Sequence, residues 1–417
     1  MASTKKTLRL AYRTFVGFER ALTRQTRAFQ ELHPDVDVEL VPYDVPELHA
    51  EMVAGDGTTS GDWDLFLCVT DWLPSLVADG KLAELDAFLD LSAPPEDWPQ
   101  GWSDSLLRQA SDERGRFYGI PYHDGPQMFM YRADLFEDPH EQERFEQEHG
   151  YPLAPPETWS QFRDVAQFFT RPERDLSGCV VAAMADGHNS VYDFFIHLWS
   201  RGGHVLDGRK AAFNGAEGRE ALTYLTGLIQ DRLTQPDPRA YESVLSGEYY
   251  AGGRGAMMWN WAGFAVVADM PDSKIQGKNK LGLIPRGDGP GGRHVSLSVF
   301  WALTIPKGSR EPQLAWDFIR TAASREQDLV TSDEGNIGCR LSTWRDPGMQ
   351  ERFPCYALIE ETHRTVETLP PIPEYDAINE ILNELIDEVH TGEKRVDEAL
   401  DEAAARTDEL LAGAPAR

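Results

Sequence analysis

The chain has 417 residues, more than one hydrophobic core usually organises, so two lobes are expected. Apolar residues make up 41% and charged residues 26%, the balance of an ordinary globular protein with material for two cores. Asp and Glu number 69 against 40 Lys and Arg, and the net charge of −29 argues against nucleic acid or an anionic membrane surface as partner.

The four cysteines, Cys68, Cys179, Cys339 and Cys355, form no C-x-x-C pair and no zinc-spaced cluster with histidine. Cys68 and Cys179 lie in apolar runs and read as core thiols; Cys339 and Cys355 either pair or stay free. No stretch approaches about 18 uninterrupted apolar residues, so no transmembrane helix is expected. The N-terminal MASTKKTLRLAY has no apolar core and no small-residue cleavage site. It does not read as a signal peptide, so a signal has either been removed or is lacking.

In chain order, Thr7–Tyr12 alternates like a strand, and Phe18, Leu22, Phe29 and Leu32 mark a helical face that ends before Pro34. Val36, Val38 and Leu40 predict a second strand, and WDLFLCV (63–69) a buried third, closed by Thr70-Asp71 and followed by a helix through Leu76, Val77 and Leu82. That order predicts a parallel α/β sheet flanked by helices. Residues 137–156 are charge-rich, end in Ala154-Pro155-Pro156, and read as a surface excursion. Further on come a helix over 159–169, a strand over 179–185, helices over 191–199 and 221–233, and a strand AMMWNW (256–261) after a glycine-rich turn. Strands at 281–285 and 298–306 flank a loop at 287–292. From Gln313 the chain is mostly helical, and it closes with an amphipathic helix over 376–389 and an Ala- and Glu-rich one. Lobes without a clean linker suggest discontinuous segments. His123-Asp124-Gly125-Pro126 then interrupts an apolar strand where the chain changes lobe, next to an expected ligand cleft.

Four blocks in order, YGIPYHDGPQMFMYRADLF, PPETWSQF, GRGAMMWNWAGF and SLSVFWALTIPKGSREPQLAWDFI, resemble the family 1 extracellular solute-binding proteins, the maltose-binding-protein-like sugar receptors of ABC importers. The resemblance spans nearly the whole chain. It implies a two-lobed α/β fold of the type II periplasmic-binding-protein kind, each lobe a mostly parallel sheet flanked by helices, with the ligand cleft between. The N-terminal lobe would comprise 1–122 and 303–335 and the C-terminal lobe 127–297 and 340–417, with crossings at 123–126, 298–302 and 336–339. It implies a monomeric receptor without cofactor, metal or enzymatic activity. Its partners would be a small carbohydrate and an ABC permease, at an extracytoplasmic location that the missing signal leaves open.

Sugar recognition needs aromatic faces and paired polar groups. Trp259 and Trp261 share a face of their strand and are stacking candidates, against a core reading. Phe300 and Trp301 lie at an expected crossing, one ring for the cleft and one for the core. Asp71 matches the position of a sugar-contacting acid in the family; otherwise it caps the next helix. Trp72 would line the rim. His123 and Asp124 either face the ligand or fix the crossing. Arg13, Thr14 and Phe15 occupy the family's first ligand loop. His188 and Asn189 follow the 179–185 strand. Arg340 would meet the ligand at the third crossing or form an interlobe ion pair. If the ligand were anionic, Arg13, His123 and Arg340 would supply its site. A glycan-processing enzyme using Asp71 and Asp124 has no supporting motif. Tyr249-Tyr250 reads as packing rather than metal binding, and GDGPGGR (287–293) as a hairpin loop rather than a phosphate loop.

Overall fold

The computed structural model describes residues 5–91 and 93–413. Residues 1–4, which begin the N-terminal stretch discussed above, lie outside the described residues. In chain order the strands used below are β1 (Lys6–Arg13), β2 (Val36–Tyr43), β3 (Leu65–Val69), β4 (Ile120–His123), β5 (Gln127–Arg132), β6 (Ser177–Val180), β7 (Gly255–Trp261), β8 (Asn279–Gly282) and β9 (Trp301–Thr304). The helices are α1 (Val16–Leu32), α2 (Trp159–Phe169), α3 (Asn189–Ser200) and α4 (Arg325–Asp333).

The chain divides into two compact units. The first comprises the residues up to Gly125, then Ser298–Arg364 and Pro371–Pro373. The second comprises Pro126–Leu297, Thr365–Pro370 and the chain from Glu374 onward. Residues 340–364, expected in the C-terminal lobe, therefore pack with the first unit. The cause is the Asp328 carboxylate on α4. It accepts the backbone N–H groups of Cys339 (2.8 Å) and Arg340 (3.2 Å) and the Thr343 hydroxyl, and it holds the segment down. The third crossing consequently falls at Arg364/Thr365 and not at 336–339.

In the first unit the sheet runs β2-β1-β3-β9-β4. β1, β2 and β3 are parallel, as the strand–helix–strand order dictates; β9 is antiparallel to β3 and β4. β3 is buried along its whole length, the counterpart of its unbroken apolar run. α1 buries Phe18, Leu22 and Phe29 as its periodicity requires, but Leu32 in the last turn is 70% exposed. In the second unit the order is β8-β5-β7-β6, with only β6 and β7 parallel. In the first sheet four of the five strands therefore run the same way with β9 reversed, and in the second β5 is the reversed strand. β5 and β9 enter their sheets from the other unit's chain, so no crossover helix obliges them to run parallel.

Residues 137–156 are not all loop. Pro139–His149 is helical, capped by the Asp138 carboxylate on the His140 N–H (2.8 Å) and stopped by Gly150 at φ 78°. Only Phe145 of this helix is buried, which leaves almost no apolar period to read in the sequence. All four cysteines are buried and none forms a disulfide, so Cys339 and Cys355 are not linked to each other. No helix among the described residues is long and apolar enough to cross a membrane.

Candidate functional site

The polar break at 123–126 has two separate roles. Asp124 turns inward and is 1% exposed. Its carboxylate accepts the Ser298 hydroxyl (2.9 Å) and meets His363 Nε2 (2.6 Å), while its backbone N–H donates to the Ile337 carbonyl (2.9 Å). Asp124 and His363 are each the next-to-last first-unit residue before the first and the third crossing, and Ser298 is the first residue after the second. One buried carboxylate thus ties together the first-unit roots of the three segments. Burial pushes this carboxyl up. The neighbouring His363 and the hydrogen bonds from His363, Gly125 and Ser298 outweigh that and hold it below its ordinary value. His363 Nδ1 lies 2.8 Å from Ser105 Oγ, and its ring stacks on Trp344 at 4.6 Å. Serine, histidine and aspartate in line resemble a nucleophile relay. Here, however, Ser105 is 3% exposed and engages Ser103, and the carboxylate is also bound by Ser298, so the arrangement holds positions rather than attacking a substrate.

His123 is the outward half of the pair. Its Nδ1 accepts the Ile337 N–H (2.9 Å), and its ring meets Phe18 edge-on at 5.0 Å and lies 6.5 Å from Phe15. Trp301, the first residue of β9, stands 5.8 Å from Phe18 and 6.2 Å from Trp72, with the Arg13 guanidinium 5.7 Å from its ring. Arg13, Phe15, Trp72, His123 and Trp301 thus gather around one aromatic cluster, and Phe15 is 42% exposed. Thr14 is also exposed; its N–H donates to the Tyr43 carbonyl (2.6 Å) and ties the end of β1 to that of β2. Asp71 is buried in the turn after β3, which the Thr70 N–H anchors to the Phe300 carbonyl (2.9 Å). Asp71 does not cap the next helix; Trp72 occupies that position.

Burial, reinforced by Arg13, pushes the His123 imidazole down to about 4 against the opposing pull of Asp124 and the Ile337 hydrogen bond. Between its ordinary value near 6.5 and about 4 the unfolded chain binds a proton that the folded chain does not. Stability is therefore expected to fall as the pH drops through that window. Urea midpoints measured from pH 7 to 4 check this, and His123→Gln should flatten the dependence. His390, lowered to about 4 mainly by burial, and His197, pushed well below its ordinary value by burial, contribute in the same direction.

In the second unit the N-terminus of α3 organises a different cluster. The Asp186 carboxylate accepts the backbone N–H groups of His188 (2.9 Å) and Asn189 (3.2 Å) and the Asn189 side-chain amide (3.1 Å). His188 Nδ1 turns to the Asp186 carbonyl at 3.0 Å. Gly187, at φ 74°, makes the bend, and Asn379 and Asn383 bind its backbone. Tyr192 meets His188 at 5.6 Å and Trp261 at 6.0 Å, both edge-on. Trp261 ends β7 half-buried.

Residues 16–329 match the family model described as bacterial extracellular solute-binding protein. The chain belongs to that family. It is 23% identical over 407 residues to the mannitol-binding protein of Pseudomonas aeruginosa, covering 93% of this chain and 89% of that protein. Among solved structures, maltose-bound MalE3 of T. maritima superposes with a TM-score of 0.83 at 21% identity, covering 97% of this chain and 99% of the other. An ABC transporter solute-binding protein from Agrobacterium radiobacter K84 in complex with ribitol gives 0.83 at 24% identity, covering 97% and 98%. At these identities the structures establish the two-lobed solute-binding-protein fold.

Three expected ligand contacts of this solute-binding protein are structural. Trp259 is 4% exposed and packs on Trp159 and Phe162, each at 5.4 Å, because β7 is the sheet's inner strand at that residue and only opens at its end. Phe300 is fully buried. Arg340 is 1% exposed. It donates to the Ala323 and Glu96 carbonyls (2.6 Å each) and lies 4.3 Å over Trp102, so it braces the first unit and is available neither to a ligand nor to an interlobe ion pair. Asp124, as described, is a further tie. Sequence reasoning passed over Asp193 and Gln127 in the second unit and Ser298 and His363 in the first. Asp193 had a signal, being an acid inside the apolar helical run VYDFFIHLW; His363 had none.

Proposed function

We propose that this solute-binding protein is the extracytoplasmic receptor of an ABC importer, that it binds a sugar or sugar alcohol, and that it passes this ligand unchanged to the permease. The family match over 16–329 carries the reading. The first-unit group of Arg13, Phe15, Trp72, His123 and Trp301 and the second-unit group of His188, Asn189, Tyr192 and Trp261 support it, since each joins aromatic faces to polar hydrogen-bonding groups. The relatives named above bind mannitol, maltose and ribitol, all neutral polyhydroxyl compounds. The Ser105–His363–Asp124 chain is enclosed within the first unit and is read as a structural tie rather than as catalytic machinery.

A ligand that binds only the folded state stabilises it by RT ln(1 + [L]/Kd), about 2.7 kcal/mol at a hundredfold excess over Kd. Thermal unfolding with D-mannitol, ribitol and maltose is expected to show a saturable rise with at least one of them, and the recovered ligand should be chemically intact. The absence of any shift across sugars and sugar alcohols, or hydrolysis of a glycoside, overturns the reading.

A further inference from the structure

We propose that Asp193, with Gln127 and Ser190, forms the inner end of the second unit's ligand site and limits it to neutral polyhydroxyl compounds, excluding phosphorylated or sulfonated ones. The proposal rests on the receptor reading above and names the ligand class and the residue that selects it.

Ser190, Asp193 and His197 follow one another at spacings of three and four along α3, so they share a face of a helix that is buried throughout. Opposite stands the sheet. Gln127 of β5 pairs directly with Trp261 of β7, and Trp259 lies two residues further along, so the three side chains occupy one face. Trp261 is the half-exposed member; Gln127 and Trp259 are 2% and 4% exposed. Asp193 itself is 6% exposed, and among the described residues no Lys or Arg contacts its carboxylate.

This seam is short of hydrogen bonds. Ser190 Oγ, Gln127 Oε1 and His197 Nε2 are buried, and none completes a hydrogen bond within the protein, while the Trp259 and Gln127 side chains turn to the Asp193 carboxyl. Native interiors leave few such atoms, because each costs roughly 1–3 kcal/mol. A hydroxyl that both accepts and donates, an amide oxygen, an imidazole nitrogen and a carboxyl group are the complement of a chain of alcohol groups, each of which also gives and takes one hydrogen bond.

The same seam rejects anions. Burial pushes the Asp193 carboxyl well above its ordinary value, and the charge of Asp186 pushes it further, against the opposing Trp259 and Gln127 side chains. Among the described residues no cation stands beside it, so this carboxyl group is placed to meet hydroxyls and not a second anion. The positive end of α3 is already occupied by the Asp186 carboxylate. The basic side chain of this turn, His188, is held on the Asp186 carbonyl. A phosphate here would face Asp186 with no guanidinium or ammonium to balance it.

The test is isothermal titration of the full chain with D-mannitol, ribitol and maltose, then with the phosphate monoester of whichever binds best. Wild type should bind the phosphate at least a hundredfold more weakly than the parent compound. Asp193→Asn should lose about tenfold in affinity for the parent compound and Asp193→Leu about a hundredfold. Monodeoxy analogues separate contact from mere support: the one lacking the hydroxyl that meets Asp193 should bind weakly to wild type but lose nothing further on Asp193→Leu. If Asp193→Leu does not fold, Asp193→Asn gives the same cycle, and the phosphate comparison needs no variant. Equal affinity for the phosphate monoester, or unchanged affinity in both variants, overturns the proposal while leaving the receptor reading intact. A wild type that binds neither neutral nor phosphorylated compounds overturns both.

Discussion

Asp124→Ala is expected to destabilise the protein by about 3–5 kcal/mol, the usual cost of removing one partner from a buried pair built on a hydrogen-bonded carboxylate. The loss exceeds that of one hydrogen bond because the substitution strands His363 Nε2 and Ser298 Oγ together in an interior that offers them no other partner. Ser298→Ala, which leaves the His363 bond in place, should cost only about 1 kcal/mol. Urea unfolding with an unchanged m-value and a lowered midpoint checks both. A loss below about 1 kcal/mol for Asp124→Ala would remove Asp124 as the tie of the three crossing segments. The pH dependence carries a second signature. The folded value of this carboxyl lies below its unfolded value of about 3.9, so its contribution is fully present above that value and is lost as the pH falls through the folded one. The steepest part of the acid limb should therefore flatten in the variant.

Trp259→Ala and Trp261→Ala are expected to separate folding from binding. Trp259 is enclosed by Trp159, Phe162 and His197, and its truncation should cost about 3–5 kcal/mol, as for other buried large-to-small changes. Trp261 is half-buried at the strand end beside Tyr192, so its truncation should cost about 1 kcal/mol or less in stability but at least tenfold in ligand affinity. Unfolding midpoints and titration with the best-binding sugar or sugar alcohol measure the two effects independently. Equal losses of stability in the two variants would contradict the assignment of one ring to the core and the other to the ligand.

These contrasts mark the line between what could and could not be read from the chain alone. Local patterns determined the elements: the alternation in TLRLAY, the unbroken LFLCV run and the Phe18–Phe29 helical face each became the strand or helix their period requires. The ordered blocks from 118 to 319 were enough to identify the family and with it the two-lobed fold. The polar break at 123–126 was visible as an anomaly, and the chain does leave the first unit there.

Tertiary structure decided which polar and aromatic side chains are spent on the scaffold. Asp124 and Arg340 looked like ligand contacts because they are charged and stand near an expected crossing. Their partners, Ser298 and His363 for one and the Ala323 and Glu96 carbonyls for the other, lie 17 to 244 residues away and are brought to them only by folding. Trp259 and Trp261 share a strand face by their period of two, yet burial along a strand depends on what covers each position, and α2 covers only the first. Asp193 shows the converse. Its acid inside an apolar helix was legible as a misfit, but only the packing of α3 against β5 and β7 shows that no cation meets it and that three neighbouring polar atoms are left unpaired. Periodicity is set by covalent geometry and is local. Whether a polar group is satisfied depends on residues distant in sequence, so it becomes defined only once the chain has folded.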